Sequence, residues 1–146
     1  MSDFSVTDPS EKQRLAKLKE EEHGRERIIL AVDDSPDILK SVFFVLRDEY
    51  KVITLPKPQN LATLLKQVTP DLFLLDYNMP VMTGFDLVPT IRNLKRHKDT
   101  PIIFLTSEGT IDNLSAAIAL GASDFIVKPF EPDILRERIA KHIYKR

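Results

Sequence analysis

From residue 28 onward, short apolar runs alternate with stretches whose apolar positions recur every three or four residues. The first kind reads as strands buried on both faces, the second as amphipathic helices. Strands are expected at Ile28-Ile29-Leu30-Ala31-Val32, Lys51-Val52-Ile53-Thr54-Leu55, Leu72-Phe73-Leu74-Leu75-Asp76, Pro101-Ile102-Ile103-Phe104-Leu105 and Asp124-Phe125-Ile126-Val127. After the first, Ser35 caps a helix with Pro36 at its first position, and Ile38, Leu39, Val42, Phe43, Val45 and Leu46 form its apolar face. Leu61, Leu64, Leu65 and Val68 mark a second helix, which Pro70 stops. Thr83-Gly84-Phe85-Asp86 has the form of a capping box with Asp in place of Glu, opening a third helix that carries Leu87, Val88, Ile91 and Leu94. Pro89 inside it predicts a kink, because proline lacks the N–H that would bond residue 85. Ile111 to Leu120 reads as a fourth helix closed by Gly121, and a fifth runs from about Glu131 to Tyr144. Five strand–helix alternations predict an α/β domain, a doubly wound parallel sheet with right-handed crossovers.

The polar residues then fall into a pattern. Asp33 and Asp34 follow the first strand, Asp76 ends the third, Thr106 follows the fourth and Lys128 the fifth. In a parallel sheet these ends share one rim, and that rim is where ligands bind. Asp76 taken alone could simply cap the next turn; five such residues at carboxyl ends make a constellation. Crowded carboxylates repel unless a cation sits among them. All-oxygen ligands suit a hard ion such as Mg²⁺. An Asp so placed can act as a nucleophile toward phosphorus, with Lys128 as a point charge for phosphoryl oxygens and Thr106 as a short hydroxyl donor.

Composition narrows the classes without adding a site. The 146 residues fit one domain with a real core, 42% of them hydrophobic. A formal net charge of -1 gives no bulk electrostatic pull toward nucleic acid or membrane. There is no cysteine, so neither a disulfide framework nor a thiolate metal site is possible. No secretory signal or membrane-spanning run appears, and cytoplasm is the expected compartment. Residues 1–26 differ from the rest: they are densely charged, with Leu15 and Leu18 as the main apolar points. They are expected to form a helical or flexible extension, starting near Asp8-Pro9-Ser10 and ending at Gly24, ahead of a domain over 27–146.

The motifs Val32-Asp33-Asp34-Ser35, Leu75-Asp76-Tyr77-Asn78-Met79-Pro80, Leu105-Thr106-Ser107, Gly121-Ala122-Ser123-Asp124-Phe125 and Val127-Lys128-Pro129-Phe130 resemble those of the response regulator receiver domains of two-component signalling, close in plan to the single-domain chemotaxis receiver. The resemblance covers about Arg27 to Tyr144, with spacings of 42, 30 and 22 residues between Asp34, Asp76, Thr106 and Lys128. It implies a flavodoxin-like (βα)5 fold with strand order 2-1-3-4-5. It implies that Asp76 accepts a phosphoryl group from a histidine kinase or phosphotransfer protein. It further implies Mg²⁺ held by Asp34, Asp76 and the Asn78 backbone carbonyl, with Asp33 helping through water. Lys128 and Thr106 would bind the phosphoryl group, and Phe125 would turn inward on activation. As a lone residue Phe125 reads more often as core than as switch, and its position three before Lys128 makes the two readings even; Ser107 is a second hydroxyl beside Thr106. Asn78 and Glu108 occupy places that tune phosphoryl loss in this family. A downstream protein or a second copy would read the surface of the fourth helix, fifth strand and fifth helix (the α4-β5-α5 face), which includes Ala116, Ala117, Ala119 and Leu120. No output domain, no nucleic-acid binding and no membrane contact are expected of this chain. His23, His97 and His142 look like surface residues without a role.

Three rivals share the residues. A phosphatase with Asp76 as transient nucleophile normally carries a second Asp two positions on, where this chain has Asn78, which delivers no proton. A flavin-binding module would need a phosphate-cradling loop after the first strand, where Asp33-Asp34 repel phosphate and the whole chain holds four glycines. A degenerate receiver serving only as a protein-interaction module would not need the complete set of acids, hydroxyl and lysine.

Overall fold

The computed structural model describes residues 13–14, 26–107, 115–116, 118–119 and 121–144. Of the expected N-terminal helix only residues 13 and 14 are described, and both are helical; Glu108, Ala117 and Leu120 lie outside the described residues.

Five strands form one parallel sheet in the order β2-β1-β3-β4-β5: β1 Ile28–Val32, β2 Lys51–Leu55, β3 Leu72–Asp76, β4 Ile102–Thr106 and β5 Asp124–Val127. This is the flavodoxin-like order. Every residue of β3 and β4 is buried, as continuous apolar runs require. Alternation along β3 splits the core in two. Leu72 and Leu74 join Leu39, Val42, Leu135 and Ile139 on one face of the sheet. Phe73 and Leu75 join Leu61, Leu65, Leu87 and Ile91 on the other.

Helix α1 (Pro36–Leu46) begins as the sequence predicts: Ser35 is extended, its side chain accepts from the Ile38 N–H, and Pro36 takes the first position. The second helix is shorter than its apolar spacing suggests. A 3-10 turn, Pro58–Asn60, leads into α2 (Leu61–Leu64), and bonds from Lys66 to Thr63 and Gln67 to Leu64 close it in turns before Pro70. The capping box at Thr83 and Asp86 is present in both directions. It opens a 3-10 turn, Gly84–Leu87, and α3 (Val88–Arg92) follows with Pro89 in its first turn. Proline thus starts the α-helix rather than kinking it, because a first-turn N–H needs no intrahelical acceptor. Residues 115, 116, 118 and 119 are helical, and Gly121, at φ 103°, takes the left-handed conformation that its place as a helix stop predicts. The C-terminal helix spans Pro132–Ile143.

Two polar clusters that the sequence reading passed over hold the rim opposite the carboxylates. The Arg92 guanidinium donates to the carbonyls of His97, Thr100 and Gly121 at 2.7–2.8 Å. His97 is 0% exposed, packs edge-on against Phe73 and pairs with the Thr100 hydroxyl at 2.9 Å, so it is a core residue and not a surface one. His142 is half-buried and faces Asp124 Oδ2 at 2.9 Å. Among the described residues no helix is long and apolar enough to cross a membrane.

Candidate functional site

β1 ends in Val32 and delivers Asp33 to the carboxyl rim, 1% exposed, with Asp34 exposed beside it. The Asp33 Oδ1 accepts the Ser35 N–H at 2.9 Å, so the residues that start α1 also hold this carboxylate. β3 ends in Asp76, also 1% exposed, and its Oδ1 accepts the Asn78 N–H at 3.1 Å. Carboxylate oxygens of Asp33, Asp34 and Asp76 lie within 4.8 Å of one another.

Lys128, immediately after β5, reaches across the rim. Its Nζ donates to Asp76 Oδ1 at 3.1 Å and stands 3.5 Å from Asp33 Oδ2. The Lys128 N–H bonds the Thr106 carbonyl at 2.7 Å, which ties the β5 end to the β4 end. Thr106 is buried, and its hydroxyl donates to Asn78 Oδ1 at 3.4 Å. Tyr77 closes the β3 side through its N–H to the Leu105 carbonyl at 2.7 Å and an edge-on ring contact with Phe104. Phe125 is half-buried and packs against the core on the Phe73 face of the sheet. The structure thus brings Asp33, Asp34, Asp76, Asn78, Thr106 and Lys128 to one place, with Phe125 on the neighbouring strand.

The electrostatics show strain at one member. Burial pushes the Asp33 carboxyl up to about 6. The Ser35 N–H opposes this, the Asp76 charge adds to it, and Lys128 subtracts again. Asp33 Oδ2 is buried and accepts no hydrogen bond in the described structure. A buried carboxylate oxygen aimed among two more carboxylates, with one ammonium for three acids, fits a hard divalent cation. Asp33, Asp34 and Asp76 are the residues that could hold it.

Sequence reasoning missed one member of the site. Gly84 backs directly onto the phosphoacceptor candidate: a Cβ there would lie inside van der Waals contact of the Asp76 carbonyl oxygen and 3.0 Å from its carbonyl carbon. The Thr83-Gly84 pair signals a cap, and nothing in it announces this tertiary contact.

Comparison with known proteins identifies the family. The family described as response regulator receiver domain matches residues 29–140. A 14.6 kDa protein of Leptolyngbya boryana is 35% identical over 105 residues, 71% of this chain and 80% of its own length. The luminescence regulatory protein LuxO of Vibrio campbellii is 45% identical over 76 residues, 52% of this chain and 16% of LuxO. This chain therefore matches only a small part of that longer relative. Among solved structures, the Vibrio cholerae chemotaxis protein CheY4 superposes with a TM-score of 0.77 at 34% identity, covering 81% of this chain and 99% of CheY4. A 2-1-3-4-5 sheet with acids, hydroxyl and lysine on one rim, matched along nearly the whole sheet, makes this chain a member of the response regulator receiver domain family of two-component signalling.

Proposed function

We propose that the chain is a phosphorylation switch in which Asp76 accepts a phosphoryl group from a phosphohistidine of a histidine kinase or phosphotransfer protein. The observation that carries this is the placement of a buried Asp76 carboxylate at the sheet rim, 3.1 Å from Lys128 Nζ and inside a three-carboxylate cluster. A carboxylate oxygen of Asp76 attacks phosphorus, the P–N bond breaks, and the imidazole nitrogen leaves with its electron pair; the product is an acyl phosphate. A bound Mg²⁺ would neutralise charge on the phosphoryl oxygens during transfer. Asp33, Asp34 and Asp76 would hold it, with the Asn78 backbone carbonyl.

The remaining residues divide the work. Lys128 holds the Asp76 carboxylate in place before transfer and is already within reach of a phosphoryl oxygen bonded to it. The Thr106 hydroxyl donates to Asn78 Oδ1 at 3.4 Å, a long bond, and on phosphorylation it turns toward the phosphoryl group. Phe125, half-buried on the adjoining strand, then moves into the space that Thr106 leaves. The readout face comprises the fourth helix, β5 and the C-terminal helix, where Ala116 and Ala119 are exposed, and a downstream protein or a second copy would bind there. Asn78, exposed two residues beyond Asp76, and Glu108 set the rate of phosphoryl loss.

The test is intact mass after incubation with Mg²⁺ and a small phosphodonor. One phosphoryl adduct is expected on the wild type and none on Asp76→Asn or without Mg²⁺. A wild type that binds Mg²⁺ yet neither gains an adduct nor releases phosphate overturns the reading. An adduct that survives in Asp76→Asn moves the acceptor elsewhere.

A further inference from the structure

We infer that Gly84 is a positioning residue for the phosphoryl-accepting site, acting by the space it leaves against the Asp76 main chain; the inference rests on the function proposed above. Among the described residues Gly121 takes a positive φ; Gly84 does not, so its backbone conformation is open to any residue. What excludes a side chain at 84 is its surroundings. An added Cβ would overlap the Asp76 carbonyl oxygen and stand 3.0 Å from both the Asp76 carbonyl carbon and Phe104 Cε1. A ring edge can tilt away. The Asp76 main chain has no such freedom, because it ends a fully buried strand paired with Leu105.

The contact matters because Gly84 closes the loop that carries the site's other members. Its N–H donates to the Tyr77 carbonyl at 3.1 Å, and Tyr77 donates to Leu105. Asn78 lies between these anchors, with its N–H on the Asp76 carboxylate and its side chain on Thr106. The Thr83–Asp86 capping box fixes the loop on the far side of Gly84. A methyl at 84 therefore has two outlets. It lifts the loop away, taking Asn78 with it, or it rotates the Asp76 peptide and with it the carboxylate. Both displace groups proposed to hold Mg²⁺.

The experiment is a Mg²⁺ titration of the 146-residue chain followed by tyrosine fluorescence, Tyr77 lying beside the site, with adduct formation from the small phosphodonor measured in parallel. For Gly84→Ala the half-saturating Mg²⁺ concentration should rise about ten-fold, the lower end of what losing an outer-shell support costs a metal site. The maximal adduct rate at saturating Mg²⁺ should fall less. Thr83→Ala, which loosens the same loop without adding an atom against Asp76, should lower Tm and leave the Mg²⁺ midpoint in place. Equal midpoints for Gly84→Ala and wild type, or the same midpoint shift in both variants, overturn the inference. A second measurement needs no variant: the Gly84 amide NMR signal of the wild type should titrate with Mg²⁺ at the same midpoint as that of Asn78, and a Gly84 signal that stays still overturns it. A wild type without Mg²⁺ response or adduct would instead overturn the function proposed above.

Discussion

The Lys128 ammonium lies 3.1 Å from the carboxylate of Asp76, a residue 52 positions earlier, and 17% of its side chain surface reaches solvent. The pair bridges the ends of β3 and β5 across the intervening β4. Lysine is the cation that two buried acids share, so its removal leaves uncompensated charge. Lys128→Ala should destabilise the Mg²⁺-free protein by about 3 kcal/mol, the low end for breaking a buried pair because Lys128 is partly solvated. Urea unfolding in chelator measures this, and added Mg²⁺ should recover more stability in the variant than in the wild type.

Asp33→Asn should act in the opposite direction. The Asp33 carboxyl is raised by burial to about 6 from 3.8, so its charge costs stability, fully above 6, and the cost is relieved as pH falls toward 3.8. At pH 7 without Mg²⁺ the variant should be more stable by on the order of 2–3 kcal/mol. It should also bind Mg²⁺ less tightly. A variant less stable than wild type in chelator would show that Asp33 is better satisfied than its unbonded Oδ2 indicates.

Acid should weaken the hold of the C-terminal helix. Burial pushes the Asp124 carboxyl up, but its bonds to His142 and the Phe125 N–H and the Arg138 charge outweigh this and leave it below the usual value. A depressed carboxylate contributes stability that is present above the unfolded pKa of about 3.9 and disappears as pH falls through the lower folded value. Urea midpoints between pH 6 and pH 2 should therefore fall more steeply for wild type than for Asp124→Asn.

Arg92→Ala removes one donor group from three carbonyls in two chain segments, residues 97–100 and Gly121. The expected loss is about 3–4.5 kcal/mol, two to three hydrogen bonds to a charged group at about 1.5 kcal/mol each. Urea unfolding measures it, and Mg²⁺ affinity should stay unchanged because the cluster lies at the opposite rim.

Strand placement was legible because β3 and β4 are buried on both faces and so carry unbroken apolar runs, and strand order followed from the family resemblance. The residues gathered at the rim were legible for a topological reason: parallel strands bring their carboxyl ends together whatever the helices do. Local contacts were the limit. Pro89 signals a break but not whether the helix bends there or begins there, which the preceding 3-10 turn decides. Histidines 97 and 142 look alike in sequence, yet one lies in the core against Phe73 and the other pairs with Asp124. Gly84 opposes Asp76 only once the loop has folded back, so no pattern along the chain marks it.

β3 contributes alternate side chains to both halves of the core, so a sliding or tilting of this strand would open voids on two sides at once. β1 and β4 are held in the same way, and Asp76 is mounted on the end of β3 between them. A chemical change at Asp76 thus meets an unyielding support on one side and adjustable side chains on the other. Under the proposed function, the displacement would pass to Lys128, Asn78 and Thr106, and through them to β5, whose burial is incomplete. On that reading, the direction in which a signal would leave the site follows the burial of the sheet, complete at β3 and β4 and partial at the β5 edge.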